Sequence, residues 1–338
     1  MCDHIKLVLR VQFTRAERSS SLCYIQRLAT QAYQFVRRDG LEWLECTALS
    51  RLPWLIHGFS TRTDHKAGSR PRGFSLGHGA STNSRRIDRN RHRFYRALGA
   101  QAFLPASLRQ IHSATVWHVV RNPKVSGLAY TPCGSALADT FLEIEPQGDA
   151  VITDEPGILL VVRVADCMPI LLVDTRRRAA AAVHAGWRGA LARIIEKSVG
   201  EMERTFGSKP ADLTAAIGPS IRSCCYEVGP EVADAFSGAF RNAHKFFQRD
   251  APDETDGNSS MSASLLWLSK SPPGHSPEPK TYLDLAAVAF DQLNRAGVKG
   301  SRIHLADFCT ASRTDHFFSY RKEGDRAGRM MAVIGIRA

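Results

Sequence analysis

The sequence lacks the long apolar run that a membrane-spanning helix needs. None of its hydrophobic segments reaches the roughly 18 residues required to cross a bilayer, and its first residues lack the basic-then-apolar layout of a secretory signal. Hydrophobic residues make up 43% and charged residues 23% of the 338 residues, which is ordinary for a soluble globular chain. We therefore expect a cytoplasmic protein with a sizeable core and no membrane partner.

Several cysteine and histidine patterns are also missing. The eight cysteines include no C-x-x-C pair, and the 12 histidines include no H-x-H pair of the kind that blue multicopper sites repeat, which disfavours a copper oxidase. Cys224 and Cys225 are adjacent, a spacing that neither chelates one metal easily nor forms a relaxed disulfide. Reduced thiols are the expectation for a chain of this length without a signal.

Acidic residues are fewer than basic ones, and the formal net charge is +12. Such an excess favours phosphate-bearing partners, nucleic acid among them. Arginines cluster around residues 85–93 and at 176–178, but no helix-turn-helix, zinc-finger or RNP-type aromatic pattern accompanies them. We interpret most of this charge as a solvated surface and expect no nucleic-acid partner; a nucleic-acid-binding module is an alternative that rests on charge alone.

Strand and helix patterns alternate along the chain. Apolar runs at 157–164, 168–174 and 178–184 are typical of strands that are buried on both faces. The pattern predicts an α/β fold, a single compact domain with mixed β-sheet layers covered by helices. The main helices are predicted at 84–98, 190–206, 231–247 and 283–296.

Two segments depart from this pattern. Residues 1–34 have no clear period, and we predict a weakly ordered N-terminal extension there. Residues 250–279 are rich in Ser, Pro, Asp and Gly and are predicted to form a flexible surface insertion. The domain itself is expected to span residues 35–338. The sequence does not indicate an oligomeric state.

Three metal-ligating side chains stand beside apolar runs. Cys167 follows one run and His184 ends another, while His112 precedes a predicted strand. Two imidazoles and one thiolate form a three-ligand zinc site with one position open for water. Since α/β proteins place their sites at strand ends, the sequence predicts an enzyme with these residues at its centre.

The chain resembles the family of laccase-domain proteins, described as multicopper polyphenol oxidases and as zinc-dependent purine nucleoside phosphorylases. The resemblance runs from about residue 35 to 338 and rests on ten short motifs in order. They are GFSTR (58–62), QIH (110–112), GDA (148–150), ADCMPI (165–170), HAGWRG (184–189), IGPSI (217–221), CYEVG (225–229), CT (309–310), FFSYR (317–321) and GRM (328–330).

The resemblance implies zinc held by His112, Cys167 and His184. It also implies phosphorolysis of purine nucleosides such as adenosine, inosine and methylthioadenosine, with adenosine deamination at the same site. Purine nucleosides and phosphate are thus the expected partners.

Other residues receive roles as hypotheses. Glu227 and Asp149 are candidates for a proton shuttle, and Asp149 is also assigned to substrate binding. Glu227 serves equally well as a buried ion-pair partner. A helix from Ala190 would leave free N–H groups for phosphate, with Arg188 and Arg62 adding bidentate contacts; a surface or capping role is the alternative for Arg188.

Two aromatic residues, Phe318 and Trp187, each have two possible roles. Phe318 in the FFSYR motif either stacks the purine or belongs to the core below a polar rim. Trp187 is expected to pack the corner between strand and helix rather than to stack a base.

Different functions remain open. Cys167 and His184 would also serve as nucleophile and base of a cysteine hydrolase or transferase, and metal content distinguishes the two readings. A role in cell-wall editing, attributed to some bacterial relatives, is neither supported nor excluded by the sequence.

Overall fold

The computed structural model describes residues 32–65, 73–77, 83–122, 127–134, 145–249 and 280–338. The predicted insertion at 250–279 lies outside the described residues. Of the predicted N-terminal extension, residues 1–31 lie outside them, and Tyr33 and Gln34 begin the first described strand.

The strands of the described residues form three sheets. The first sheet has the order β1-β2-β3-β16-β8-β4, the second β15-β11-β9-β10-β7-β5-β6, and a small third one β12-β14-β13. The strands, numbered in chain order, are β1 Tyr33–Arg38, β2 Leu41–Cys46, β3 Leu55–Asp64, β4 Leu104–Ala106, β5 Val116–Arg121, β6 Leu128–Pro132, β7 Ala150–Thr153, β8 Ile158–Val164, β9 Met168–Asp174, β10 Ala179–Ala185, β11 Leu213–Ile217, β12 Glu227–Val228, β13 Phe247–Arg249, β14 Thr281–Leu283, β15 Ile303–Leu305 and β16 Met330–Ile336.

Helices cover the outer faces of the two large sheets. In the described residues they are α1 Thr47–Ser50, α2 Ser84–Leu98, α3 Trp187–Leu191, α4 Ile194–Phe206, α5 Pro230–Ala239, α6 Leu285–Arg295 and α7 Tyr320–Glu323. Within this part of the chain, no helix is long and apolar enough to cross a membrane.

The two large sheets pack face to face, and alternate residues of each strand point to opposite sides. Leu160 and Val162 of β8 meet Leu171 and Val173 of β9 in the layer between the sheets. The intervening residues of β9 face α4 and α6, and those of β8 face α2. Because both faces are covered, these strands are apolar throughout rather than alternating. The predicted α/β class with helix-covered mixed sheets is confirmed.

One predicted helix is confirmed to the residue, and its ends explain why. The side chain of Asn83 caps the start of α2 by accepting a hydrogen bond from the backbone N–H of Arg86. Gly99 then adopts the left-handed conformation, with φ of 76°, that ends many helices.

The helix predicted at 190–206 is wrong in its extent. The structure has two helices, α3 and α4, separated at Arg193, where φ is 62°. The carbonyl of Ala190 accepts a hydrogen bond from the Arg193 N–H at 3.0 Å and another from the buried side chain of Gln292 in α6. A tertiary contact therefore stabilises the break.

The helix predicted at 231–247 is also too long. It ends at Ala239, and a 3-10 turn over Ala243–Phe246 follows. Four aromatic rings pack against one another across this bend, and their packing accounts for the change in chain direction: Phe236, Phe240, Phe246 and Phe247.

The connection between β8 and β9 places Cys167. Strand β8 belongs to the first sheet and β9 to the second, and only residues 165–167 join them. The chain crosses between sheets at this point, with Asp166 at φ of 85°. Next to it, β10 pairs with β9 so that His184 lies opposite Pro169. The sheet pairing thus brings Cys167 and His184 to the same edge.

Candidate metal centre and active-site cavity

The three predicted ligands converge. The ligand atoms of His112, Cys167 and His184 all lie within 4.8 Å of one another. The Cys167 Sγ is 3.6 Å from His112 Nε2, and the two imidazole rings are 5.0 Å apart between centroids. One thiol and two imidazoles at this separation form the donor set of a catalytic zinc site with three protein ligands.

Asp149 holds two of the ligands in place. Its buried carboxylate accepts a hydrogen bond from Nδ1 of His184 at 2.8 Å and another from the backbone N–H of His112 at 3.0 Å. It also accepts from the backbone N–H groups of Ser113 and Ile111 and from the Ser113 hydroxyl at 2.7 Å. Because a carboxylate only accepts, Nδ1 of His184 carries the proton and Nε2 is left for a metal.

Electrostatics favour ionised forms of Cys167 and His184 in the absence of a metal. Burial opposes ionisation of Cys167, but attraction to His184 and hydrogen bonds from both histidines outweigh it and lower the thiol pKa to about 6. Burial also opposes a charged His184, but Cys167 and Asp149 raise its pKa to about 9. Burial alone would raise the pKa of Asp149, whereas hydrogen bonds from His184 and Ser113 lower it. The group therefore favours a thiolate, the form of cysteine that binds metals.

Gly186 leaves room for the ligands. A Cβ at this position would lie 2.7 Å from Cδ2 of His112 and 3.0 Å from Sγ of Cys167. Its φ is −79°, so the backbone conformation does not require glycine. The close approach of the two ligand side chains does.

The ligand group lies on the wall of a cavity of about 840 Å³. This cavity is rich in arginine and tyrosine side chains, several of which stack in pairs: Arg188 over Trp187 at 4.3 Å, Arg321 over Tyr226 at 5.3 Å and Arg329 over Tyr320 at 5.7 Å. Arg109, Arg163 and Asp325 also line it. Guanidinium groups at these positions suit an anionic ligand.

The structure separates the predicted substrate-binding residues into two groups. Arg188 lines the cavity with an exposed side chain. Arg62 does not: it pairs with Glu323 at 3.0 Å and its guanidinium lies 4.4 Å above the ring of Phe318. Phe318 is buried, and the backbones of Gly73 and Gly328 press on its ring so closely that a Cβ at either would collide with it. Arg62 and Phe318 therefore belong to the core beside the cavity, and neither contacts its interior.

Two carboxylates also have different roles from those expected. Glu227 is exposed, pairs with Lys280 at 3.2 Å and is absent from the cavity wall. It is neither a shuttle in the cavity nor a buried ion-pair partner. Asp149 uses its oxygens on the ligand-bearing backbone and on His184, so it orients the site rather than binding substrate.

The helix beside the predicted anion site begins earlier than predicted. Helix α3 begins at Trp187 rather than at Ala190, and the Ala190 N–H donates to the Gly186 carbonyl at 2.8 Å. That N–H is therefore already bonded, and an anion site at the N–H groups of residues 186–189 stays a prediction. The arginine side chains of the cavity are a second set of groups that would hold an anion.

Asp166 joins the ligand turn to the opposite wall. Its carboxylate accepts from the hydroxyls of Thr310 at 2.6 Å and Ser319 at 3.0 Å and from the Arg321 backbone N–H at 2.6 Å. Sequence reasoning missed this role, as it missed Tyr226, although both lie inside motifs that it singled out. Those motifs were the available signal, but they do not show which member faces the cavity.

The chain is similar to known proteins in both sequence and structure. A family model described as "Multi-copper polyphenol oxidoreductase laccase" matches residues 56–337. The solved structure of YlmD from Geobacillus stearothermophilus superposes with a TM-score of 0.68 at 26% identity, covering 90% of this chain and 99% of that one.

Curated relatives carry nucleoside-related names. A purine nucleoside phosphorylase YlmD of Geobacillus stearothermophilus is 30% identical over 89% of this chain and 97% of its own length. A purine nucleoside phosphorylase of Bacteroides thetaiotaomicron is 35% identical, with 56% of this chain matched to 60% of that protein. A protein of an unknown prokaryotic organism named adenosine deaminase RL5 is 34% identical over 55% of this chain and 61% of its own length. The chain thus covers less than two thirds of the last two.

Proposed function

This chain belongs to the multi-copper polyphenol oxidoreductase laccase family, and we propose that it is a zinc-dependent purine nucleoside phosphorylase. In this reaction the bond between ribose C1′ and the purine nitrogen breaks, and a bond between C1′ and a phosphate oxygen forms. The products are the free base and a sugar 1-phosphate, which is ribose 1-phosphate from adenosine or inosine and 5-methylthioribose 1-phosphate from methylthioadenosine. We assign adenosine, inosine and methylthioadenosine as its substrates.

The observation that carries the proposal is the convergence of His112, Cys167 and His184 on the wall of an arginine-lined cavity. At about 840 Å³ the cavity is within the usual size range of small-molecule sites. The names of the relatives from Geobacillus stearothermophilus and Bacteroides thetaiotaomicron support the same activity.

The donor set fits zinc. His112, Cys167 and His184 supply two nitrogens and one sulfur, and Gly186 keeps the space between them clear. When bound, zinc supplies a Lewis acid that polarises an oxygen atom of a reactant. Asp149 orients the His184 ring for metal binding, because its carboxylate accepts a hydrogen bond from Nδ1 of that ring.

The cavity arginines are assigned to phosphate. Arg188 and Arg321 are exposed toward the cavity and rest on aromatic rings, which limits their freedom before the anion arrives. One guanidinium group can bind a phosphate through two parallel N–H···O hydrogen bonds. The rings of Tyr226 and Tyr320 offer apolar faces for the purine.

Adenosine deamination is the second candidate activity. It is favoured by the relative named adenosine deaminase RL5 and by the ligand chemistry, since zinc nucleobase deaminases also use His and Cys ligands. Water replaces the amino group at C6, giving inosine and ammonia. Asp325, on the cavity wall and in contact with the Tyr320 hydroxyl at 3.2 Å, is the carboxylate placed to move protons.

One experiment separates these activities. Purified protein is incubated with adenosine, with and without phosphate, and the products are resolved by chromatography. We expect adenine and ribose 1-phosphate only when phosphate is present, and inosine with ammonia in either case. Absence of any phosphate-dependent product would rule out phosphorolysis.

A further inference from the structure

A second cluster of metal-ligating side chains lies outside the catalytic cavity. The sulfur atoms of Cys224, Cys225 and Cys309 lie within 4.8 Å of one another, and those of Cys224 and Cys225 are 3.5 Å apart. All three are free thiols. Adjacent cysteines alone chelate poorly, but here a third sulfur comes from a segment more than 80 residues away in the chain.

Backbone pairing brings these thiols together. Cys224 and Cys225 lie in a turn in which the backbone N–H of Cys225 donates a hydrogen bond to the Arg222 carbonyl at 2.9 Å. The segment that carries Cys309 pairs with Ser220, just before this turn, through the Thr310 N–H at 3.1 Å. The fold therefore brings the backbones of the three cysteines together.

A buried arginine, Arg222, lies beside the cluster and has two nitrogen atoms without hydrogen-bond partners in the part of the chain that the structure describes. Arg222 is only 9% exposed, and its Nε and Nη1 atoms have no hydrogen-bond partner among the described residues. Its Nη2 donates to the Ala306 carbonyl. Burial of the guanidinium is unfavourable; Asp307 and Asp284 offset it most strongly, and negative charge on the Cys309 sulfur offsets it further. Lys322 interacts electrostatically with Cys225.

We propose that Cys224, Cys225 and Cys309 form a second metal site, which binds Cu⁺ through three thiolates. Binding releases three thiol protons to solvent and changes no oxidation state. Three thiolates and one Cu⁺ carry a net charge of −2, and Arg222 and Lys322 supply positive charge beside them. The site is distinct from the proposed catalytic zinc site and does not depend on it.

The choice of Cu⁺ follows from the donors. Thiolates select soft metals, Cu⁺ and Zn²⁺ above all. Structural Zn²⁺ takes four protein ligands and three-ligand zinc sites include histidine, whereas this group contains three sulfurs and, within the described residues, no histidine or carboxylate. A metal about 2.3 Å from each of three sulfurs holds them roughly 4 Å apart; the sulfurs of Cys224 and Cys225 are 3.5 Å apart, and all three lie within 4.8 Å of one another.

The ion also has a route to the site. Cys224 is exposed, and both Cys224 and Cys309 line a separate cavity of about 700 Å³. The next residue after Cys225 is Tyr226, which lines the catalytic cavity. An occupied site would therefore clamp the turn that supports one wall of the active site.

The test is anaerobic titration of reduced, zinc-loaded full-length protein with Cu⁺ held by bicinchoninate. We expect the wild type to withdraw one Cu⁺ per chain, and X-ray absorption at the copper edge to show three sulfur and no nitrogen neighbours. No withdrawal, nitrogen neighbours, or preferential binding of Zn²⁺ at these thiols would each overturn the proposal.

Variants locate the bound ion. Combined Cys224→Ser, Cys225→Ser and Cys309→Ser substitution should abolish the withdrawal, while Cys133→Ser, which changes a free thiol outside the cluster, should leave it intact. The single Cys224→Ser variant changes an exposed side chain and avoids a folding defect; its spectrum should lose one of the three sulfur neighbours. Retention of three sulfurs in that variant would contradict the assignment.

Discussion

His184 and Asp149 form a buried pair, with Nδ1 of the imidazole donating to the carboxylate at 2.8 Å. The same carboxylate accepts from the backbone at His112, so one acidic residue orients two metal ligands. Orienting partners of this kind change metal affinity by roughly 10- to 100-fold when they are replaced.

Asp149→Asn is therefore expected to weaken zinc binding by roughly 10- to 100-fold, because an amide nitrogen cannot accept the hydrogen bonds that the carboxylate oxygens accept now. Competition with a chromophoric chelator measures the affinity. Asp154→Asn is the control, since that side chain lies on the surface, 4.0 Å from His118. Equal affinity in the wild type and Asp149→Asn would show that the ligands keep their orientation without this residue.

Gly186→Ala is expected to abolish metal binding while leaving the protein folded. The new methyl group would collide with His112 and Cys167, whereas the backbone at φ of −79° accepts alanine without strain. Zinc content and thermal unfolding are measured in parallel. A variant that keeps its zinc would mean that the ligands do not share one ion.

Gly200→Ala provides the matched control for that substitution. Gly200 lies inside α4, and a Cβ there meets no atom within 4 Å. Reduced freedom of the unfolded chain should raise the free energy of unfolding by about 0.4–1 kcal/mol, with zinc content unchanged.

Much of this arrangement could be predicted from sequence, where local signals agree with tertiary structure. Helix α2 has its cap at Asn83 and its stop at Gly99, and both are visible in the sequence. The three ligands were accessible because each follows or ends an apolar run and belongs to a recognisable motif.

The errors arose where distant contacts decide the outcome. The break between α3 and α4 depends on Gln292, which lies 102 residues beyond Ala190. The orientation of neighbours in the FFSYR motif depends on packing: Phe318 points into the core, whereas Tyr320 and Arg321 face the cavity. Local periodicity carries no information about either contact.

The metal-free protein should have a reactive Cys167. Because His184 and His112 outweigh the effect of burial and lower its thiol pKa to about 6, the thiolate is present above that pH and is lost as pH falls through it. Burial raises the pKa of Cys133 to about 12, so that thiol is the unreactive control. Alkylation followed by mass spectrometry should show a midpoint near pH 6 for Cys167 and protection after zinc is restored. Modification of Cys167 only above pH 8 would contradict the charge assignment.

Arg188→Ala is expected to raise the KM for phosphate by roughly 10- to 100-fold, the value of one or two hydrogen bonds to a charged group. The KM for adenosine should change little, since the guanidinium is assigned to the anion. Steady-state kinetics with each reactant varied separately measure both constants. Arg295→Ala, which removes an arginine paired with Asp291 on α6, should alter neither. A parallel rise in both KM values would indicate general damage to the cavity.

The most direct test compares zinc content and phosphate-dependent ribose 1-phosphate release in the wild type, Cys167→Ala and Cys133→Ala proteins. We predict about one zinc per chain at the catalytic site and phosphorolysis in the wild type and Cys133→Ala, with both lost in Cys167→Ala. Full turnover in protein stripped of zinc would contradict this account, and it would favour a cysteine nucleophile at Cys167 instead.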